Sequence, residues 1–241
     1  PMGCAALYGE WNIILAFLWP ALILLALGLV TSLRTPKNTK IYARDGLAIV
    51  ALVWVLMSVF GALPFVISGE IPSFVDALFE TVSGFTTTGS TILTDVEALS
   101  HGTLFWRSFS HWIGGMGVFV FIMAILPMMG GSTMNLMKAE SPGPSVSKLV
   151  PHVKDTAKIL YGIYIAITIC EATILRALGM PLFDSLTTTF GTVGTGGFGI
   201  RNDSIAGYSP AIQITITVFM ILSGINSVSY THLTLPTTSR V

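Results

Sequence analysis

Charge is the scarcest resource in this chain. Only 10% of its 241 residues are Asp, Glu, Lys or Arg, against roughly 25% in a soluble globular domain, so the chain has too few ionic side chains to clothe itself in water. The charges that exist cancel to a formal net of zero, which removes the basic footprint a nucleic-acid binder needs. Cysteine is nearly absent: Cys4 and Cys170 stand far apart in or beside apolar runs, which excludes a disulfide framework or a cysteine-based metal site and predicts two lone buried thiols. Catalytic clusters are missing too. The only ionisable groups inside apolar runs that could pass for an acid or base are His111 and Glu171, each isolated in a different run. A polytopic membrane enzyme or assembly subunit, the alternative from another functional class, would need such groups in clusters. What the chain has is hydrophobicity, 52% of residues with a mean hydropathy of +0.77.

Four apolar runs reach the ~20 residues that span a bilayer: residues 11–33, 46–67, 104–129 and 156–178. A fifth, from Pro210 to about Asn226, nearly does. The chain starts at Pro1, which reads as a cut end, and the first run exceeds the ~7–15 residues of a signal-peptide core. Two shorter segments, 71–84 and 180–191, each carry a proline at their second position, Pro72 or Pro181; at about 10–14 residues they read as re-entrant pieces rather than spans. Arg34, Lys37, Lys40 and Arg44 lie between the first two spans, and Lys138, Lys148 and Lys154 between the third and fourth, with Lys158 at the start of the fourth. The positive-inside rule places those loops in the cytoplasm and brings the short segments in from outside. The outer connections hold Glu70, Asp76, Glu80, Asp95, Glu97, Asp184 and Asp203, which either concentrate cations or are solvated loop charge.

The chain repeats itself at one constant shift. DALFETVSGFTTTGSTI, from Asp76, falls on DSLTTTFGTVGTGGFGI, from Asp184, aligning Thr81 with Thr189, Thr87 with Thr195, Gly89 with Gly197 and Ile92 with Ile200. Each unit is a span, a short helix, a glycine-rich return and a second span. Two crossings bring the chain back to its starting side, so successive units share one orientation, the parallel kind of repeat that can surround a pore. The expected fold is an all-α membrane protein of potassium-channel-like span–pore helix–span repeats.

The returns carry the chemistry. Non-helical backbone survives at membrane depth only where it is buried in protein or lines a watery cavity, and residues 86–90 and 193–198 are too rich in Gly and Thr for lipid-facing helix. Thr86, Thr87, Thr88, Gly89 and Ser90 in the first return, with Gly194, Thr195, Gly196 and Gly197 in the second, offer backbone carbonyls and small hydroxyls. Such a set can replace the hydration shell of a monovalent cation. Each short helix would also aim its partly negative C-terminal end at the cation. The stretch from Gly194 satisfies GxGxxG, but it has no βαβ context and no acid about 20 residues on. In the third span Arg107 is expected to pair with Glu80 of the first short helix, holding helix to span. His111 is expected to be a packed, hydrogen-bonded residue, and Gly114, Gly115 and Gly117 to allow close helix contact.

FETVSGFTTTGSTIL, LFWRSFSHWIGGMGVFVFIMAILP, KAESPGP with TAKILYGIY, and FGTVGTGGF occur in an order and spacing that resembles the Trk/Ktr/HKT superfamily of potassium transporters, most closely its TrkH type. The resemblance runs from about Arg44 to Asn226. It implies selective potassium uptake across the bacterial cytoplasmic (inner) membrane by a multi-pass protein, with no enzymatic activity. Potassium would be held by the carbonyls of Thr87, Thr88, Thr195 and Gly196 beside the filter glycines Gly89 and Gly197. It implies membrane lipid, a homodimer and a cytoplasmic ring of nucleotide-binding regulatory subunits as partners. A sodium-permeable or sodium-coupled member is the alternative of the same fold, and a serine in place of Gly89 would favour it. The expected divisions are 1–43 (first span and basic loop), 44–130 (first pore unit), 131–154 (cytoplasmic loop), 155–226 (second pore unit, truncated) and 227–241, a polar tail foreign to the pattern. Four units make the family's ring; two are expected here, and the gene beyond Asn226 is expected to encode two more Gly/Thr returns.

Overall fold

A computed structural model describes residues 1–33, 43–117 and 153–232. Eight helices order the described residues: α1 (Met2–Leu7), α2 (Trp11–Ser32), α3 (Ala43–Ser68), α4 (Phe74–Phe85), α5 (His101–Gly115), α6 (Val153–Ala177), α7 (Leu182–Val193) and α8 (Pro210–His232). α2 is apolar around its whole circumference and little of it is covered: its most apolar window is only 22% buried, and Leu25, Leu27, Leu29 and Val30 lie exposed. A soluble core helix would be buried, so this exposure identifies a lipid-facing span. The window 51–68 of α3 is also long and apolar enough to cross a membrane.

The repeat is visible in the backbone. The shift that carries Phe74 onto Leu182 also carries Phe85 onto Val193, so α4 and α7 match at both ends. Both bury a face rich in hydroxyls. On α7, Thr187 Oγ1 donates to Phe183 O (2.8 Å), Thr192 Oγ1 to Thr188 O (2.9 Å) and Ser185 Oγ to Ala172 O on α6 (2.7 Å), so these three hydroxyls keep hydrogen bonds when buried, whereas the buried Thr189 Oγ1 has no partner among the described residues. Ser73 caps α4 by accepting from Asp76 N (3.4 Å), and Asp76 sits in the first turn where the helix dipole favours an anion. α4 packs between α3 and α5, and α7 against α5, α6 and α8. α5 is therefore the element shared by both units.

Several expectations on boundaries are corrected. The short helices start two to three residues later than the apolar segments and end one to two later, because Ser73 and Pro181 act as caps. The third span was expected to run unbroken from 104 to 129. The helix instead begins at His101 and ends at Gly115, with Gly117 at φ +65°; Gly, the poorest ordinary helix former, ends it. Residues 118–129 lie outside the described residues, as do the lysine-bearing positions 138 and 148, residues 34–42 and the tail from 233. α8 runs to His232, past the end of its apolar run at about 226. Both cysteines are free, but neither is buried: Cys4 is partly covered and Cys170 is exposed on α6, one residue from the buried Glu171 and hence on another helical face.

The outer acids are mostly occupied. Glu10 accepts from His101 N (2.8 Å) and Gly102 N (2.9 Å) at the start of α5, capping it from another element. Glu70 accepts from Ser100 N (3.0 Å). Between the units, Asn202 Nδ2 donates to Asp95 (2.8 Å), Val96 N donates to Asn202 Oδ1 (2.8 Å), and Asn202 N donates to Glu97 (3.1 Å). Tyr208 donates to Asp184 (2.7 Å), and burial and that carboxylate push the phenol upward. Holding backbone and loops in place thus occupies Glu70, Asp95, Glu97 and Asp184.

Replacing Glu10 with Ala is expected to cost about 1 kcal/mol, as for a lost N-cap, and thermal unfolding in detergent measures it. The Asn202 hydrogen bond holds Asp95 below its ordinary 3.8. A depressed carboxyl stabilises fully above the unfolded value and loses that contribution as pH falls through the folded one. The loop contact is therefore expected to weaken only below pH 3.8. Exchange of the Val96 amide, followed from about pH 5 to 3, should show this dependence in the parent and not in Asn202→Ala.

Candidate filter site

Each short helix ends in the same unusual backbone. Thr87 and Thr195 have φ of +54° and +64°, and Gly89 and Gly197 follow at +74° and +68°. A β-branched residue in the left-handed region costs on the order of 1–3 kcal/mol and persists only where surroundings impose it. Here the imposing contacts are the ends of the helices: Thr87 N donates to Gly84 O (3.1 Å) and Thr195 N to Thr192 O (2.9 Å), at matching positions of the two repeats. Thr88 N then donates to Ser83 O and Gly197 N to Gly191 O, both at 3.0 Å, tying each return to its own helix.

The two returns meet. A methyl group placed on Gly89 would lie 2.1 Å from the carbonyl oxygen of Gly196, and one placed on Gly196 would lie 2.5 Å from the carbonyl oxygen of Thr87. Each return thus sets a carbonyl close against a glycine of the other repeat, and a Cβ at 89 would force the Gly196 carbonyl to move. Thr86, Thr88, Ser90, Thr195 and Gly197 are exposed, while Thr87, Gly89 and Gly196 are half-buried and Gly194 is buried. One hydroxyl is engaged within its own segment. Thr86 Oγ1 donates to Val82 O (2.7 Å) and lies 2.8 Å from Thr88 Oγ1, which commits it to the helix end. Ser90 O accepts from Ser83 Oγ.

Behind the returns lies a buried ion pair. Arg107 Nε donates to Glu80, and both side chains are shut off from solvent. Thr91 Oγ1 (2.9 Å) and Ile92 N (3.2 Å) also donate to Glu80, so the carboxylate holds the far end of the first return. Arg107 Nη1 donates to Gly199 O, and its guanidinium stands 3.5 Å from the Phe198 ring centroid, a cation–π contact. The structure thus brings Glu80 and Arg107 together, and adds an arm to the second return that pairing by sequence alone missed. A signal existed: guanidinium has five donors, more than one carboxylate uses, so a buried Arg demands further acceptors. Phe198, Gly199, Thr91 and Glu10 were the residues that sequence reasoning passed over.

α5 approaches both returns elsewhere too. A methyl on Gly114 would lie 2.1 Å from Phe85 O, and one on Gly115 2.6 Å from the Tyr164 hydroxyl and 2.8 Å from Gly194 Cα. Tyr164 donates to Trp112 O (2.8 Å), and Trp112 Nε1 to Thr168 (3.0 Å), fastening α5 to α6. Glu171 is buried on α6, and neither of its carboxylate oxygens has a hydrogen-bond partner among the described residues. No group of three or more His, Cys, Asp or Glu suited to a metal ion occurs among the described residues.

These features define a class: an all-α membrane protein of potassium-channel-like span–pore helix–span repeats. Residues 14–238 match the family model TrkH, described as cation transport protein, and the chain belongs to that family. It is 41% identical over 194 residues to the Trk system potassium uptake protein TrkH of Salmonella typhimurium, covering 79% of this chain and 40% of that protein. It is 36% identical over 230 residues to the Trk system potassium uptake protein TrkG of Escherichia coli, covering 94% and 47%. The crystal structure of the potassium transporter TrkH from Vibrio parahaemolyticus superposes with a TM-score of 0.63 at 30% identity, over 92% of this chain and 49% of that one. The chain therefore spans less than half the length of these relatives. It is an integral protein of the bacterial inner membrane.

Breaking a buried ion pair on one side costs about 3–5 kcal/mol, so Glu80→Gln and Arg107→Gln should each destabilise by that order. The double variant should be less unstable than the sum, with a coupling of at least about 1 kcal/mol in a thermal-unfolding cycle.

Proposed function

We propose that this chain supplies two filter segments of a pore that takes up potassium across the cytoplasmic membrane. The observation that carries the proposal is the close approach of the two returns, which set the Gly196 carbonyl against Gly89 and the Thr87 carbonyl against Gly196 and share a matching left-handed backbone. Carbonyl oxygens without a fixed charge suit a monovalent cation that sheds part of its water, whereas carboxylate ligands, typical of a divalent site, are absent from the returns. The helix ends Phe85 and Val193 immediately precede the returns and add partial negative charge.

In this proposal Thr86–Thr88 with Gly89 and Ser90, and Gly194, Thr195, Gly196 and Gly197, form the cation path, with Thr87, Thr88, Thr195 and Gly196 as carbonyl ligands of potassium. Residues 44–130 and 155–226 act as successive pore units. Glu80 and Arg107 are structural. A homodimer, and cytoplasmic nucleotide-binding subunits as regulators, follow from the resemblance and from relatives named as parts of a Trk system. The glycine at 89 favours potassium over a sodium-selective variant of the fold.

The test is Gly89→Ser in the protein expressed from its complete gene. Added atoms at 89 meet the Gly196 carbonyl, so the rubidium-to-sodium flux ratio should fall about tenfold. An unchanged ratio would refute the assignment of this segment to the filter.

A further inference from the structure

His111 makes a contact with the second return that the ion pair does not require. It lies one helical turn beyond Arg107 on the same face of α5 and is wholly buried. Its ring stacks on Phe198 at 5.4 Å and 28°, so two side chains of α5 hold the residue that follows Gly197. The ring also lies against the backbone upstream. A methyl on Gly194 would come within 2.4 Å of His111 Cδ2, and one on Gly196 within 2.2 Å of Cε1 and 2.4 Å of Nε2. From Gly194 to Phe198 the return is moulded around one imidazole.

The expected hydrogen bonds of this histidine are not found: neither Nδ1 nor Nε2 has a partner among the described residues. Burying two unmet polar atoms is unfavourable, so polar bonding does not explain its position, and the shape of the ring does. Among the described residues no such ring backs the first return; its end is pinned by Glu80 through Thr91 and Ile92. The second has Thr188 at the position matching Glu80 and lacks that carboxylate.

We propose that His111 is a positioning residue for the second filter segment, a flat wedge that sets the 194–198 backbone and so aims the Gly196 carbonyl. The proposal rests on the assignment of this segment to a cation filter.

The experiment compares His111→Ala, His111→Phe and Gly194→Ala in the protein expressed from its complete gene, by rubidium and sodium flux and by amide exchange of peptides covering 83–90 and 191–200. His111→Ala is expected to raise exchange in 191–200 about tenfold and leave 83–90 unchanged, and to lower the rubidium-to-sodium ratio about tenfold. His111→Phe should keep parental values in both, because a flat ring still fills the space. Gly194→Ala should disturb 191–200 in the parent and less so in the His111→Ala background. Equal exchange changes in both peptides, parental behaviour of His111→Ala, or loss of protection in His111→Phe would each overturn the proposal; the Phe variant decides it if the Ala variant does not fold. A parent that carries no rubidium would defeat the filter assignment, while the exchange pattern would still decide whether His111 positions the strand.

Discussion

The buried pair of Arg107 and Glu80 is the constraint on which the rest depends. Two charges hidden from water inside a membrane protein are tolerable only when their geometry and remaining hydrogen bonds are satisfied, and here the remaining bonds go to the two returns. Glu80 takes Thr91 and Ile92 of the first; Arg107 takes Gly199 and Phe198 of the second. Neither return could move far without stranding a charge. The left-handed threonines at 87 and 195 are set by the helix ends before them, and the ion pair then fixes the far end of each return by an asymmetric link between the repeats.

The asymmetry shows what duplication leaves to be solved. Both units inherit the same helix length, the same turn at its end and the same pair of left-handed positions. They differ in how the return is backed. The first has a carboxylate inside its own short helix. The second has none, and borrows Arg107 and His111 from the helix α5 of the preceding unit. The second return is therefore built on the first unit, and α5 belongs to both.

Much of this was legible in the sequence because it is periodic or local. Apolar length set the spans, Pro72 and Pro181 marked the short helices, and a constant shift along the chain paired Thr87 with Thr195 and Gly89 with Gly197. Glu80 and Arg107 could be matched because two isolated opposite charges at one depth need each other. What could not be read was contact between elements with no shared pattern: Glu10 on the start of α5, Asn202 bridging Asp95 and Glu97, Phe198 between Arg107 and His111. The end of α5 at Gly115 was also hidden, since hydropathy continues unbroken through residue 129 and only the close approach of glycine backbone to Phe85 and Gly194 shows why that stretch differs.

The cap that Glu10 places on α5 reaches further than the helix end it satisfies. From His101 to His111 the helix rises about 15 Å, with the Glu10 carboxylate at one end and the second return at the other. α5 is a stiff rod braced at its outer tip by the N-terminal segment. The N-terminal segment thereby braces the same helix whose far end packs against Gly194 and Gly196.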